Sequence, residues 1–254
     1  MTETTEDDFL GGRLRIRQPV NGYRAGLDPV LLAASVPARS GQDVLELGVG
    51  TGVALLCLLA RVPGLSATGV ERHPGLAALA RENVSANGFT ARIAEADLAD
   101  LPPDLRETSF DHVLANPPFF DRTRGSAAKT GTREDGRGQA TPVRVWIDTG
   151  IRRLRPGGRL SLIQRAERLP EVLACLDDRV GDVLVLPLAP RLNKPAKLFI
   201  VQAKKAAKGD FRLLAPFVIH AGEAHVADGD DYSDRVSAIL RDAAPLDLAG
   251  FINR

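Results

Sequence analysis

The run Phe110–Ala115 ends in Asn116-Pro117-Pro118-Phe119. Two successive prolines stop a strand, fix the backbone and remove N–H donors, which leaves carbonyl acceptors. Asn116 adds a side-chain carbonyl and Phe119 a flat apolar surface. This set suits one chemical task, methylation of a planar, conjugated amino nitrogen. The lone pair of such a nitrogen is delocalised, so it attacks poorly. The Asn116 side-chain oxygen and the Pro117 carbonyl could accept its two hydrogens, pull it towards tetrahedral geometry and aim its lone pair at the methyl group. No charged base is needed during attack, because positioning and dipole stabilisation supply the rate. Phe119 would stack on a target base, worth about 1–3 kcal/mol for such pairs. The competing reading is a proline-terminated strand with a packed phenylalanine.

A second constellation lies upstream, in Glu46-Leu-Gly48-Val-Gly50-Thr-Gly52 between a strand and a helix. Glycines turn the backbone sharply and let it approach a ligand, and the following helix begins with free N–H groups. Glu71, at the end of the next strand, can accept hydrogen bonds from ribose hydroxyls. Dinucleotide sites use G-x-G-x-x-G, whereas the spacing here is G-x-G-x-G with Glu46 just before it. A carboxylate there would repel a pyrophosphate and suit a cationic group, such as the amino group of S-adenosylmethionine. Charge logic therefore favours that cofactor over NAD. Asp97, after the third strand, can accept from the exocyclic amine of the cofactor's adenine, or serve as a surface turn carboxylate.

These residues need a scaffold, and the pattern supplies one. Val44–Leu47, Ala67–Val70, Ala91–Ala94, Asp111–Ala115 and Arg159–Ile163 read as strands. Val53–Arg61, Pro74–Asn87, Pro142–Leu154 and Pro170–Leu176 read as helices, the prolines fitting first turns. The alternation implies a Rossmann-like α/β fold, a mostly parallel sheet with helices on both faces. Gly181–Pro187 and Lys197–Ala203 have no helix between them and predict a hairpin, so the sheet should finish in an antiparallel strand. Residues 1–40 read as an extension with a small hairpin turning at Gly11-Gly12 and a helix capped by Asp28, with Pro29 as its first residue. Residues 41–205 form the core. Residues 206–254 add a strand over 211–220 and a helix over Ser233–Asp242 capped by Ser233. Arg122–Thr141 is rich in Gly, Ala, Thr and Arg without periodicity and reads as a mobile loop. Trp146, the only tryptophan, sits in a helical pattern and reads as core.

The glycine loop, Glu71, Asp97, Asn116–Phe119 and the Leu154-Arg-Pro-Gly-Gly158 turn together resemble the class I S-adenosylmethionine-dependent methyltransferases. That resemblance implies a seven-stranded sheet whose last strand is antiparallel. A narrower resemblance rests on Gly22-Tyr-Arg-Ala-Gly-Leu-Asp28-Pro-Val-Leu-Leu-Ala33, the Asn-Pro-Pro-Phe run, Pro195-Ala-Lys and Phe217-Val-Ile-His220. These look like the bacterial N6-adenine methyltransferases that modify the adenine beside the anticodon of a valine tRNA. It implies that Arg24 and Asp28 lie near the cofactor pocket and help cover it. Relatives sharing the motif methylate guanine N2 in ribosomal RNA or a glutamine amide in release factors. All target a conjugated NH₂, so the motif does not separate them.

Charge patterning bears on the substrate. The 254 residues carry 33 Lys and Arg against 32 Asp and Glu, a net +1. That balance excludes a chain that coats nucleic acid by bulk attraction. A hydrophobic share of 44% excludes wholesale disorder. Yet the basic residues cluster. Phe9–Leu27 holds four arginines and no acid, Leu188–Gly209 holds Arg191, Lys194, Lys197, Lys204, Lys205 and Lys208 and no acid, and Asp121–Arg144 holds six basic residues against three acids. The loop after the fourth strand, with Arg122, Arg124 and Lys129, and the last hairpin turn, with Arg191 and Lys194, should emerge at the carboxyl edge. There they would form a funnel for a single-stranded tRNA loop. No metal, DNA or membrane partner is expected, and a monomer is favoured. Cys57 and Cys175 sit in apolar runs and read as buried reduced thiols, and the acidic start of the chain is unlike a signal peptide, so a cytoplasmic location follows. The rivals are a protein glutamine methyltransferase, which would not need the basic loops, and a non-catalytic RNA-binding module on the same fold. A nucleotide-dependent oxidoreductase requires the other glycine spacing.

Overall fold

The computed structural model describes residues 3–21, 24–119, 141–222 and 231–252. A hairpin of β1 (Thr4–Phe9) and β2 (Leu14–Pro19) leads into α1 (Leu27–Ser35). The central alternation follows: β3 (Asp43–Leu47), α2 (Val53–Arg61), β4 (Ser66–Glu71), α3 (Pro74–Ala86), β5 (Arg92–Glu95), α4 (Pro103–Glu107), β6 (Phe110–Ala115), α5 (Val143–Arg153), β7 (Leu154–Arg165), α6 (Leu169–Cys175), β8 (Val180–Ala189) and β9 (Leu198–Lys205). The short strands β10 (Arg212–Leu213) and β11 (Phe217–Val218) and helix α7 (Asp234–Asp242) complete the described chain. Among the described residues no helix is long and apolar enough to cross a membrane.

The sheet order is β10-β8-β9-β7-β6-β3-β4-β5, with β11 also pairing to β8. Strands β3 to β7 run parallel, and β9 lies antiparallel between β7 and β8. The expected seven-stranded sheet is thus present, widened by two short edge strands. Strand alternation divides its side chains between two cores. Val44, Leu114, Ile163 and Ile200 pack with α1, α2, α3 and α7, while Leu45, Leu47, Val113, Leu160 and Leu162 pack with α4, α5 and α6.

The hairpin docks through an arrangement absent from the sequence reading. Asn83 and Asn87 are one turn apart at the end of α3. The Asn87 amide accepts from Arg15 N at 2.9 Å and donates to Arg15 O at 2.8 Å. Asn83 does the same with Arg17, at 2.9 and 3.0 Å. Two side-chain amides therefore stand in for a neighbouring strand along the outer edge of β2. Asn83 Nδ2 also donates to the Thr51 carbonyl at 2.9 Å, which joins the hairpin to the glycine loop.

Four local expectations need correction. Helix α1 starts at Leu27 with Gly26 at its N-cap and no side-chain cap, so Asp28 lies inside the first turn instead of capping it. The strand expected over 211–220 is two fragments, β10 and β11, both parallel to β8. Pro216 lies between them and has no N–H to continue a ladder. Ser233 holds the N-cap position of α7, but its hydroxyl donates to the Val218 carbonyl at 2.9 Å. The Leu154–Gly158 turn is the bulged start of β7, with Leu154 already paired to Phe110. The Arg122–Thr141 stretch, apart from Thr141, lies outside the described residues.

Candidate active site

Parallel strands bring their carboxyl ends to one edge, and the registers show which residues meet there. Leu47 pairs with both Val70 and Ala115, Glu71 with Glu95, Ala115 with Leu162, and Arg165 with Leu198. The glycine loop, Glu71, Asp97 and Asn116–Phe119 therefore leave the sheet side by side. The β8–β9 turn emerges at the same edge, since Leu188 pairs with Leu198.

The glycine loop needs its glycines for separate reasons. Gly48, Gly50 and Gly52 have φ of 66°, 55° and 93°, in the left-handed region that glycine tolerates best. A Cβ on Gly48 would lie 2.4 Å from Cη2 of Trp146, so the indole is the floor of the loop. Trp146 is 7% exposed, and its Nε1 donates to the Thr141 carbonyl at 3.2 Å, which places it in the core as expected. A Cβ on Gly50 would meet nothing within 4 Å. The backbone there faces open space, as a ligand cradle requires.

Two carboxylates flank this loop in opposite states. Glu71 is held at both oxygens, accepting from Gly50 N at 3.0 Å and from His73 N at 2.9 Å. Those two donors keep its carboxyl turned to the loop. Glu46 is 3% exposed, and its Oε2 has no hydrogen-bond partner. Burial pushes its pKa well above the usual carboxylate range, against a backbone hydrogen bond from Leu55, and the nearby Glu71 charge adds to the rise. An orphaned buried carboxyl beside an open glycine cradle fits a ligand that brings a positive charge. Cys57 lies close by, and burial together with Glu46 pushes its thiol pKa up, so it stays neutral. Cys57 and Cys175 are both buried and free. Asp97 is exposed and its Oδ1 accepts from Ala99 N at 2.8 Å, a turn contact that orients the carboxylate.

At the end of β6, Asn116 is half-buried, Pro117 buried and Phe119 half-buried. The Pro117 carbonyl accepts from Nε2 of Gln164 at 3.3 Å. The Arg165 guanidinium lies over the Phe119 ring, 5.9 Å from its centroid. Asp28, in the first turn of α1, has its pKa raised by burial, partly offset by the charge of Arg165. Gln164 and Arg165 were both missed from sequence, although a polar residue inside the apolar run Leu160-Ser-Leu-Ile-Gln164 was the available signal.

The basic candidates separate once folded. Arg24 binds Asp7 of the hairpin through Nη2, at 2.7 and 2.6 Å, and donates to Thr5 and Pro19 through Nη1. It braces the segment entering α1 to β1. Arg13, Arg15 and Arg17 each face an acid from another segment, namely Asp242, Asp8 and Glu82. Arg191 is only 13% exposed, donating to Asp231 and to the Ala221 carbonyl. Asp231 also bonds His220, whose ring stacks on Tyr232 at 5.1 Å. Arg191 is thus a clamp between the β8–β9 turn and the C-terminal extension, and the exposed basic residues of that turn are Lys194 and Lys197. Arg122, Arg124 and Lys129 lie outside the described residues.

Comparison with known proteins agrees with this geometry. Residues 26–187 match the methyltransferase small domain family. A Porphyromonas gingivalis protein named tRNA1(Val) (adenine(37)-N6)-methyltransferase is 35% identical over 195 residues, covering 71% of this chain and 76% of its own. A Haemophilus influenzae protein of the same name is 30% identical over 158 residues, covering 61% and 67%. Among solved structures, a predicted O-methyltransferase of Agrobacterium tumefaciens superposes with a TM-score of 0.70 at 24% identity, over 87% of this chain and 98% of that one. A Thermus thermophilus 16S rRNA N2 G1207 methyltransferase, solved with AdoMet and guanosine, gives 0.55 at 22%, over 80% and 50%. The chain belongs to the methyltransferase small domain family, within the class I S-adenosylmethionine-dependent methyltransferases. Its cofactor is accordingly S-adenosylmethionine.

Proposed function

We propose that the protein methylates the exocyclic N6 of an adenine in tRNA, namely the anticodon-loop adenine of a valine tRNA, and does so in the cytoplasm. The observation that carries this reading is the juxtaposition of Asn116–Phe119 with the glycine loop, enforced by the pairing of Ala115 with Leu47. The names of the relatives support the choice of adenine and tRNA. Bound S-adenosylmethionine supplies an electrophilic methyl group on a sulfonium. Glu46 ionises and takes the cofactor's amino group, Glu71 takes the ribose hydroxyls, and Asp97 takes the adenine amine. The Asn116 side-chain oxygen and the Pro117 carbonyl accept the two hydrogens of the target amine and free its lone pair. With the cofactor bound, those two dipoles would stabilise the positive charge developing on the target nitrogen until its proton passes to solvent. Phe119 holds the base by stacking. Lys194, with Arg122, Arg124 and Lys129, steers the phosphate backbone, and a base in a single-stranded loop enters the pocket at little unstacking cost.

Nucleoside mass spectrometry of tRNA from cells lacking the protein tests this reading. Loss of N6-methyladenosine from one tRNA, restored by the wild-type gene, is expected. An unchanged tRNA profile, with loss of N2-methylguanosine from ribosomal RNA or of a methylated glutamine, would replace it.

A further inference from the structure

Gln164 lies near the carboxyl end of β7 and is fully buried. By strand alternation it points to the same face as Leu160 and Leu162. A primary amide in such surroundings is costly unless both its ends are bonded. Oε1 accepts from Arg165 N at 2.9 Å, and Nε2 donates to the Pro117 carbonyl at 3.3 Å. Pro117 and Pro118 have no N–H, so the turn after β6 cannot fasten itself through its own donors there. A donor from the neighbouring strand is a direct way to hold its carbonyl.

We propose that Gln164 is a positioning residue for methyl transfer: it occupies one lone pair of the Pro117 carbonyl and turns the other towards the amine that accepts the methyl group. The same amide receives Arg165 N, and the Arg165 side chain covers Phe119. One buried side chain thereby connects both halves of the Asn-Pro-Pro-Phe turn. This inference rests on the role given above to the Pro117 carbonyl. It does not depend on which NH₂-bearing substrate is used.

Two variants test it, on whichever substrate the wild-type protein methylates. Gln164→Met keeps length and burial but removes the donor. Its kcat should fall at least tenfold, while KM for that substrate and calorimetric Kd for S-adenosylmethionine stay within twofold. Gln164→Glu keeps an acceptor for Arg165 N and regains a donor only when protonated. Its kcat relative to wild type should rise as pH falls, whereas Gln164→Met should show no such gain. A Gln164→Met enzyme with kcat within twofold of wild type overturns the proposal. So does a loss of kcat matched by an equal loss of cofactor affinity, or a Gln164→Glu ratio that is flat with pH. Should Gln164→Met not fold, the pH profile of Gln164→Glu decides alone. Wild-type methylation of an NH₂ other than adenine N6 would refute the substrate reading and leave this test intact.

Discussion

The contact between Gly48 and Trp146 sets up a measurable coupling. In Gly48→Ala the new Cβ would meet the indole at 2.4 Å (Cη2) and 2.6 Å (Cζ3), at a residue with φ of 66°. The left-handed backbone costs a non-glycine residue about 1–2 kcal/mol, and forcing a methyl into a packed core adds about 1–3 kcal/mol. The sum is on the order of 3 kcal/mol, which for a chain of this size lowers Tm by about 6–12 °C. The two contributions separate in a double-mutant cycle. Trp146→Phe lacks the far benzo ring that bears both clashing atoms, so it removes the packing penalty and leaves the backbone one. Gly48→Ala should therefore cost at least about 1 kcal/mol less in the Trp146→Phe background, read by urea unfolding. Calorimetry should show weaker S-adenosylmethionine binding in Gly48→Ala and partial recovery in the double variant. Strictly additive stabilities would refute the claim that the indole is the floor of the cofactor loop.

Other perturbations follow from the same geometry. His112 is buried beside Gln42, and burial drives its pKa down to about 4. A depressed folded pKa leaves its stability contribution intact above pH 6.5, its unfolded value, and removes it as pH falls towards 4, by about 3 kcal/mol in all. The stability difference between wild type and His112→Gln should shift by about that much between pH 7 and pH 4, and parallel curves would count against it. Glu46→Gln removes a buried carboxyl with an orphaned oxygen, so unfolding should be unchanged or harder, while S-adenosylmethionine affinity drops at least about tenfold. Unaltered affinity would exclude Glu46 from the amino-group site. Arg191→Ala should lower Tm and expose amides of residues 217–222 to hydrogen exchange, because its guanidinium clamps Asp231 and Ala221. Lys194→Ala should leave Tm unchanged and weaken tRNA binding with a shallower salt dependence; the reverse pattern would exchange the two roles.

The sheet, its antiparallel strand and the neighbouring glycine and Asn-Pro-Pro-Phe turns were legible because local signals carry them. Alternating apolar runs mark the strands, and prolines and glycines mark where they stop. Long-range polar pairing was not legible. Nothing local in Asn83 or Asn87 shows that their amides will imitate a strand beside β2, since the partners are 66 and 72 residues away. The basic clusters misled in the same way. Acid-free stretches of sequence suggested a segregated surface, but Arg15, Arg24 and Arg191 meet Asp8, Asp7 and Asp231 once the chain folds. Asp28 looked like a helix cap because it precedes Pro29, yet the helix begins two residues earlier than that, at Leu27, and the Asp28 side chain lies near Arg165. Gln164 needed the register of β6 against β7 before its target could be identified.

The pairing of Asn116 and Pro117 with a target amine is tested most directly by Asn116→Ala in a single-turnover assay with tritiated S-adenosylmethionine and the tRNA. Removing one preorganised dipole partner at a reacting centre costs about 10²–10³-fold in rate. Calorimetric affinity for S-adenosylmethionine should stay near the wild-type value while methyl transfer falls by at least that lower factor. Methyl transfer at the wild-type rate, with cofactor bound as tightly, would contradict the role of the Asn-Pro-Pro-Phe turn in holding the amine.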